Sequence, residues 1–194
     1  MPEPVQKIQG ELSMTIKLGL VGKNGAGKSA VCTYLLEHGF TCFSLSNIVR
    51  DEANRKGLDL TRDNLVSTAN TLKQEKGAAF LAIQSNEKAI GNKIVFDSIR
   101  NVEEVNYLKN KNVILIGIDA PIELRYQRIQ QRAHGTDHVD FETFKIQDER
   151  ENSGNSSGQN INAALEHCTY HFENIGDLTT LQQQVQEILN QCQD

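Results

Sequence analysis

One octapeptide constrains the fold of this 194-residue chain more than any other feature of its sequence. Residues 22–29 are Gly-Lys-Asn-Gly-Ala-Gly-Lys-Ser, which fits the pattern G-x-x-x-x-G-K-[ST]. The glycines let successive backbone N–H groups turn toward one anion, and a helix that begins near Ser29 directs its positive dipole end at the same point. Lys28 can reach the β- and γ-phosphates, and the Ser29 hydroxyl can ligate Mg²⁺. The residues predicted to surround ATP and Mg²⁺ are Gly22, Lys23, Asn24, Gly25, Ala26, Gly27, Lys28, Ser29 and Ala30.

The segments around this loop indicate an α/β fold. Apolar stretches predict strands at 15–21, 40–44, 93–97, 112–118 and 168–172, and helical patterns cover 29–38, 47–56, 62–76, 78–90, 121–132 and 178–191. Strands that alternate with helices predict a mainly parallel sheet with helices on both faces. Residues 1–14 are polar and without periodicity, so we expect a flexible tail before a single domain at 15–194.

Composition excludes several classes of function. The net charge is −5 and the pI is about 5.6, which is the wrong sign for a dedicated nucleic-acid-binding protein. No apolar run approaches the roughly 18 residues that a membrane span needs, and the N-terminus does not resemble a secretory signal. The four cysteines form no C-x-x-C pair, and Cys32 and Cys42 lie among apolar residues and are interpreted as reduced core residues. We therefore expect a cytoplasmic protein that binds neither nucleic acid nor membrane.

Residues 22–29 are a phosphate-binding loop of the kind called a P-loop, which occurs in small-molecule kinases, GTPase switches and motor-type ATPases. A guanine-specific switch usually carries N-K-x-D, and the two nearest strings, at 92–95 and 110–113, lack the aspartate. An ATPase that activates water often has a glutamate directly after its second acidic residue, whereas Ser98 follows Asp97 here. These absences favour a kinase that transfers a phosphoryl group to a small molecule.

The arginines supply the positive evidence for a kinase. Arg50 and Arg100 follow the second and third predicted strands, and the carboxyl ends of parallel strands are where such sheets bind ligands. Asp97, at the end of an apolar run, could hold Mg²⁺ through water, act as a base, or simply cap a helix.

Further arginines lie on the later helices. Arg125, Arg128 and Arg132 share one helix face, and Arg150 follows in Gln-Asp-Glu-Arg. Clustered arginines suit the positioning and neutralisation of a transferring phosphoryl group. For Arg125 and Arg150, solvated pairing with neighbouring glutamates is an equally good interpretation.

These segments together resemble a known group of enzymes. The P-loop, the stretches 43–50, 95–101 and 119–132, and the stretch 144–150 resemble the nucleoside monophosphate kinase group of P-loop proteins. Within it the chain is most similar to a little-characterised adenylate-kinase-like family and to dephospho-coenzyme A kinases, whose last strand and helix resemble 170–181.

The resemblance implies a fold and a division of roles. The expected fold is a three-layer α/β/α sandwich with a five-stranded parallel sheet of order 2-3-1-4-5, a helical acceptor-binding insert at about 45–90 and a lid at about 126–160. The acceptor-binding residues implied by position are Ser46, Arg50, Arg100 and Arg150. The implied catalytic residues are Lys28, Asp97, Arg100, Arg128 and Arg132, with Ser29 and Asp97 at the metal.

Two departures from the group's pattern bear on the acceptor. Ser46-Asn47 replaces Gly-Asp, and Ser98 replaces the glycine of Asp-Gly, so no carboxylate remains at 44–47. A dephospho-coenzyme A kinase must deprotonate a ribose hydroxyl, whereas a nucleoside monophosphate presents an anionic oxygen. We therefore expect transfer of the γ-phosphoryl of Mg·ATP to a nucleoside monophosphate. The alternatives are a dephospho-coenzyme A kinase that uses Asp97 as its base, and a nucleotide-responsive regulatory protein with incidental hydrolysis.

Overall fold

The protein was examined as a computed structural model that describes residues 15–132, 139–152, 154 and 160–192. Its strands form one parallel sheet of order β2-β3-β1-β4-β5, which confirms the expected strand order. The predicted tail at 1–14 lies outside the described residues, as do 133–138, 153 and 155–159 of the predicted lid. The strands are β1 (Ile16–Gly22), β2 (Thr41–Ser44), β3 (Lys93–Ile99), β4 (Ile114–Asp119) and β5 (Tyr170–Glu173).

Helices cover both faces of this sheet and complete the expected three layers. Leu18 and Leu20 of β1 belong to a core cluster that includes residues of α1 and α9, whereas Phe96 and Leu115 belong to a second cluster with residues of α2 to α5 and α8. The helices are α1 (Lys28–Glu37), α2 (Leu45–Arg55), α3 (Arg62–Lys76), α4 (Phe80–Lys88), α5 (Val102–Lys109), α6 (Ile122–Arg132), α7 (Phe141–Asn152), α8 (Ile161–Glu166) and α9 (Leu178–Gln191).

Helices α5, α7 and α8 were not predicted from the sequence. Helix α8 has six residues and α5 has eight, which is too short for a clear apolar period. Helix α7 is longer, but its buried face consists of Phe144, Asp148 and Glu151. Because two of those three residues are acidic, the buried face of α7 carries no apolar stripe that a sequence pattern could detect.

Strand β3 also differs from expectation, since it continues past Asp97 to Ile99. Phe96 pairs with Gly19 and Ile99 with Val21, so two residues of β3, Asp97 and Ser98, stand opposite one residue of β1. This bulge places Ser98 at φ 66°, a left-handed conformation that glycine adopts without strain. Ser98 therefore has a glycine-like conformation at the position where the kinase pattern has glycine.

The fold brings the predicted site to one edge of the sheet. The carboxyl ends of β1, β2, β3 and β4 meet there, and α2, α3 and α4 pack against one another in the region predicted as the acceptor insert. Within the described ranges, no helix is both long enough and apolar enough to cross a bilayer.

Candidate functional site

The phosphate-binding loop joins the end of β1 to the start of α1. Gly25 and Gly27 have φ of 78° and 116°, values that L side chains rarely adopt. A Cβ atom on Gly22 would collide with the Ile118 carbonyl oxygen, and one on Gly25 would collide with the Arg125 carbonyl oxygen. The loop thus has its predicted glycines where the backbone requires them.

Two side chains from later in the sequence hold the outer side of this loop. Asn174 Nδ2 donates to the Ala26 carbonyl oxygen over 2.8 Å, and Arg125 Nη1 donates to the Asn24 carbonyl oxygen over 3.3 Å. Asn174 is also the group that a Cβ atom on Gly27 would meet. Asn174 was not predicted as a site residue, because its role depends on the packing of the segment after β5 against the loop.

Lys23 and Ser29 occupy different environments within the loop. Lys23 Nζ forms an ion pair of 2.7 Å with Asp119 Oδ2 at the end of β4, so its charge is partly satisfied by the protein itself. Ser29 is exposed at the start of α1, and it lines the same cavity as Asp97. Ala30 follows on the first turn of α1 and packs against the core.

Backbone carbonyl groups of the phosphate-binding loop hold the Lys28 side chain. Its Nζ donates to the carbonyl oxygens of Gly22 and Lys23 over 2.7 and 2.8 Å. Desolvation lowers the pKa of Lys28 from 10.5 to about 8, and Asp97 opposes part of that shift while Arg100 adds to it. Near pH 8 the lysine is therefore only partly protonated in the structure described here.

A cavity of about 320 Å³ lies between the phosphate-binding loop and helices α2 and α3. The loop contributes Lys28 and Ser29, and the sheet edge contributes Asp97. Most of the predicted acceptor residues also lie on its walls, which shows that the fold brings them together. These are Ser46, Arg50 and Arg100, joined by Asn24, Ser44, Ser98 and Arg132.

A cluster of hydroxyl groups surrounds Asp97 at the sheet edge. Ser98 Oγ lies 3.1 Å from Asp97 Oδ2, and Ser44 Oγ lies 2.9 Å from Ser46 Oγ and 3.2 Å from Ser98 Oγ. The other carboxylate oxygen, Asp97 Oδ1, is buried and has no hydrogen-bond partner among the described residues. Asp97 and Ser29 both line the cavity, and a carboxylate oxygen without a donor together with a hydroxyl group fits the hard oxygen ligands that Mg²⁺ prefers.

Glu151 of α7 links two arginines on the far wall of the cavity. Its carboxylate pairs with Arg62 at the start of α3, and with Arg100 Nη1 over 2.8 Å. Glu151 is itself only 3% exposed. Arg50 stands apart from this pair and donates to Ser46 Oγ over 2.6 Å.

Sequence reasoning missed both Arg62 and Glu151. Arg62 is an ordinary first residue of a helix that Thr61 caps, and Glu151 begins a polar stretch that resembles a loop. The two residues are 89 positions apart, so no local pattern could have joined them.

A second buried ion pair fixes the turn that carries Arg100. Glu104 Oε2 accepts from the Arg100 backbone N–H over 2.7 Å, and Glu104 Oε1 lies 3.1 Å from Lys73 Nζ. Asn101 Oδ1 accepts from the Glu104 backbone N–H over 2.7 Å, as the N-cap of α5. The direction in which Arg100 leaves β3 is thus set by α5 and α3.

Arg128 and Arg132 of α6 lie next to the phosphate-binding loop. Arg128 Nη2 donates to the Asn174 carbonyl oxygen over 3.0 Å, and its Nη1 is buried without a hydrogen-bond partner in the described part of the chain. Burial lowers the pKa of Arg128. Arg132 Nη2 lies 3.4 Å from Asn24 Oδ1. The two arginines line a cavity of about 150 Å³ that also touches Gly25, Gly27, Lys28 and Ser29.

The sequence left two interpretations open for Arg125 and Arg150, and the structure places these two residues in opposite environments. Arg125 is buried and forms a bidentate ion pair with Asp148 of α7, at 2.6 and 2.8 Å, so it joins α6 to α7 and is not a solvated surface residue. Arg150 is exposed and pairs with Asp63 over 3.0 Å. Arg150 does not line the cavity in this structure, although the resemblance implied an acceptor-binding role for it.

Comparison with known proteins places this geometry in a family. A family model described as an AAA domain matches residues 18–174. A UPF0200 protein of Methanocaldococcus jannaschii is 31% identical over 188 residues, covering 89% of this chain and 90% of the relative. A UPF0200/UPF0201 protein of Archaeoglobus fulgidus is 30% identical over 181 residues, and the chain spans about half its length, 54%.

Solved structures agree on the fold. Shikimate kinase from Acinetobacter baumannii, solved in complex with shikimate, superposes with a TM-score of 0.58 at 16% identity, over 92% of this chain and 95% of that chain. A Thermus thermophilus protein gives a TM-score of 0.59 at 19% identity, over 92% and 98%. The chain has a P-loop kinase-like α/β fold, and it belongs to the AAA domain family and to the UPF0200 proteins.

Proposed function

We propose that the protein transfers the γ-phosphoryl group of Mg·ATP to a small nucleotide, and that a nucleoside monophosphate is the acceptor. The observation that carries the proposal is the shared cavity of about 320 Å³, which has the phosphate-binding loop on one side and Arg50, Arg62 and Arg100 on the other. Two phosphate-binding sets that face one space suit in-line transfer between two anions, where positioning and charge neutralisation do most of the catalysis.

On the donor side, backbone N–H groups of the loop and the Lys28 ammonium would hold the β- and γ-phosphates. Lys28 Nζ now donates to two loop carbonyl oxygens and would redirect its hydrogen bonds to phosphate oxygens when ATP binds. Arg128 and Arg132, beside the loop, would neutralise charge on the transferring group. Arg128 Nη1 already lies buried without a partner among the described residues, as a donor reserved for a ligand would.

Ser29 and Asp97 are the residues that fit the magnesium ion. The Ser29 hydroxyl and the unpartnered Asp97 Oδ1 supply oxygen ligands, directly or through water. When bound, Mg²⁺ would neutralise phosphate charge and orient the two phosphates. The Ser98 hydroxyl, which is linked through Ser44 to Ser46, would keep the Asp97 carboxylate in place.

On the acceptor side, the phosphate of the acceptor would take the place of the Glu151 carboxylate as the anion that pairs with two arginines. Glu151 now holds Arg62 and Arg100, the two guanidinium groups best placed to bind an incoming anion. Arg50 adds a third, and Val49, Leu65, Val66 and Leu81 offer an apolar wall for the rest of the acceptor.

The carboxylates on the cavity wall favour a phosphate over a hydroxyl acceptor. Among the described lining residues, Glu104 and Glu151 are both committed to ion pairs, which leaves Asp97. A hydroxyl acceptor needs a base, and Asp97 would have to serve as base and magnesium ligand together. A phosphate acceptor needs none.

A second candidate function rests on the Glu151 contact itself. A carboxylate that already neutralises Arg62 and Arg100 also suits a protein that binds nucleotide and transfers nothing. The two candidates differ in whether any small molecule accelerates ADP release.

The test is ADP release from Mg·ATP, with and without ribo- and deoxynucleoside monophosphates, dephospho-coenzyme A and shikimate. We expect one monophosphate to stimulate release, and we expect Lys28→Ala and Arg100→Ala to abolish the stimulation. Arg55→Ala is the matched control, because Arg55 is exposed and pairs with Glu52 on the outer side of α2. If ATP binds and no acceptor raises the rate, the transferase proposal fails and the binding protein is favoured.

A further inference from the structure

Two thiols that the proposed function does not use meet behind the phosphate-binding loop. Cys32 lies on the buried face of α1, four residues after Lys28, and Cys42 lies on the edge strand β2. Their Sγ atoms are 2.8 Å apart. The sequence places the two residues in separate segments and gives no sign that their side chains meet.

The backbone around this pair already brings the two sulfur atoms close to bonding distance. A disulfide has an S–S length of about 2.05 Å, so joining the atoms needs a movement of under about 1 Å. The chain between them turns at Gly39, where φ is 81°, and the Phe40 N–H bonds back to the Leu35 carbonyl oxygen over 3.0 Å. The turn thus sets α1 and β2 side by side without help from a covalent bond.

The two thiols are chemically unequal. The hydrogen bond between the two thiols lowers the pKa of Cys42 and raises the pKa of Cys32. Cys42 is also partly exposed, whereas Cys32 is buried. Cys42 is therefore the thiol that ionises and meets an oxidant first, and Cys32 is the one that follows.

The other two cysteines lack these properties. Burial raises the pKa of Cys168 to about 12 and also raises the pKa of Cys192. Cys168 Sγ donates to the Ala164 carbonyl oxygen over 3.5 Å, in the interior of the second core cluster. Among the described residues, no side chain or backbone group donates a hydrogen bond to either sulfur that would favour its thiolate form.

We propose that Cys32 and Cys42 form a reversible dithiol–disulfide site, oxidised by a hydroperoxide and reduced by a dithiol. The Cys42 thiolate attacks a peroxide oxygen, the O–O bond breaks, and Cys42 becomes a sulfenic acid while the departing hydroxide takes up a proton. The Cys32 sulfur then attacks the Cys42 sulfur, the S–O bond breaks, and the hydroxyl leaves as water with the Cys32 proton. Two thiols lose two electrons in total, and hydrogen peroxide is reduced to two molecules of water.

The bond would join the two halves of the site. Helix α1 begins with Lys28, and β2 leads directly into α2, which carries Ser46 and Arg50. A link between Cys32 and Cys42 would fix the helix of the donor loop against the strand that positions an acceptor wall. Oxidation should accordingly stabilise the fold as well as remove two thiols.

The experiment treats the reduced full-length chain with hydrogen peroxide, unfolds it, alkylates the remaining thiols with iodoacetamide and maps the peptides by mass spectrometry. We expect a linked Cys32–Cys42 peptide pair and alkylation of Cys168 and Cys192 only. Dithiothreitol should restore alkylation at all four cysteines. The melting temperature of the oxidised chain should rise by about 5 °C.

Matched variants separate this site from general thiol oxidation. The double variant Cys168→Ser, Cys192→Ser should still form the link, whereas Cys42→Ser should not. Cys32→Ala offers a second variant with little change in packing, and its circular dichroism spectrum reports whether it folds. The proposal fails if peroxide leaves Cys32 and Cys42 as open to alkylation as Cys168, or if oxidation joins separate chains through Cys192.

Discussion

The pKa of Lys28 should depend on whether a phosphate ligand is bound beside it. Its pKa is lowered to about 8 by desolvation, and bound phosphates would raise it again because they add negative charge. Since the ammonium form is the one that binds phosphate, ATP affinity should fall as the pH rises through about 8. Titration of ATP binding at a series of pH values in the presence of Mg²⁺ measures this fall.

Lys28→Ala is the control for that pH dependence. The variant should bind ATP at least about tenfold more weakly, a loss of about 1.4 kcal/mol or more, and its weak binding should show no inflection near pH 8. An unchanged inflection in Lys28→Ala would assign the titrating group to another residue.

Ser98 holds a left-handed backbone conformation in the interior of a bulge. Replacement by glycine relieves that conformation and removes the hydroxyl, whereas replacement by alanine removes the hydroxyl and keeps the strain. We expect Ser98→Gly to be more stable than Ser98→Ala by about 1 kcal/mol, from the steric cost of a Cβ atom at positive φ. Urea denaturation of both variants gives the difference.

Asn112 provides the comparison for Ser98. It also has a positive φ, 59°, but it lies in an exposed turn, and asparagine tolerates this conformation. The difference between Asn112→Gly and Asn112→Ala should resemble that at Ser98, because both report backbone strain. A difference near zero at Ser98 alone would mean that the bulge relaxes when its side chain changes.

At the scale of the elements, α7 is attached by ion pairs that contribute very different amounts to the free energy of unfolding. Removal of Arg125 leaves Asp148 buried and unpaired, so Arg125→Ala should lower the free energy of unfolding by about 3–5 kcal/mol. Arg150→Ala removes an exposed pair with Asp63 and should cost at most about 1 kcal/mol. Chemical denaturation of the two variants gives the comparison, and equal losses would contradict the burial seen for Arg125.

Glu151 of the same helix competes with any anion that enters the cavity. Glu151→Gln keeps the shape of the side chain and removes the negative charge that now neutralises Arg62 and Arg100. We expect the variant to bind AMP or inorganic phosphate about tenfold more tightly, equivalent to about 1.4 kcal/mol, as measured by calorimetry. Glu149→Gln, an exposed neighbour on α7, should leave both affinities unchanged.

The elements also show what the sequence can and cannot predict. β1 and β4 are nearly continuous apolar runs, and the loop at 22–29 has a spacing that forces a strand before it and a helix after it. Helix α7 was missed because two of its three buried residues are acidic and form ion pairs, and Arg62 was missed because its partner lies far along the chain. Long-range charge pairing leaves no periodic trace in a sequence, so Arg100 could be predicted from its place after a strand, whereas its pairing with Glu151 and the contribution of Arg62 had to come from the structure.

For the whole molecule, ligand binding and stability are linked. A ligand at about 100 times its dissociation constant stabilises the folded state by about 2.7 kcal/mol. Mg·ATP at that excess should therefore raise the melting temperature by several degrees, or about 5 °C for a domain of this size. Differential scanning calorimetry tests this: at the same Mg·ATP concentration the rise should be about half as large or smaller in Lys28→Ala, because that variant binds ATP at least about tenfold more weakly, and should be unchanged in Arg55→Ala.

The bracing of the phosphate-binding loop has a consequence for how the protein could be re-engineered. Ile118, Arg125 and Asn174 constrain the three glycines from three separate segments, so the loop keeps its concave shape before any ligand arrives. Ordering a backbone costs about 1–2 kcal/mol per residue, and this chain meets that cost during folding rather than at binding. The octapeptide alone should therefore not be sufficient for tight nucleotide binding in another protein. If it were placed between a strand and a helix without those three neighbours, the nucleotide would have to order the loop, and the affinity for nucleotide would fall.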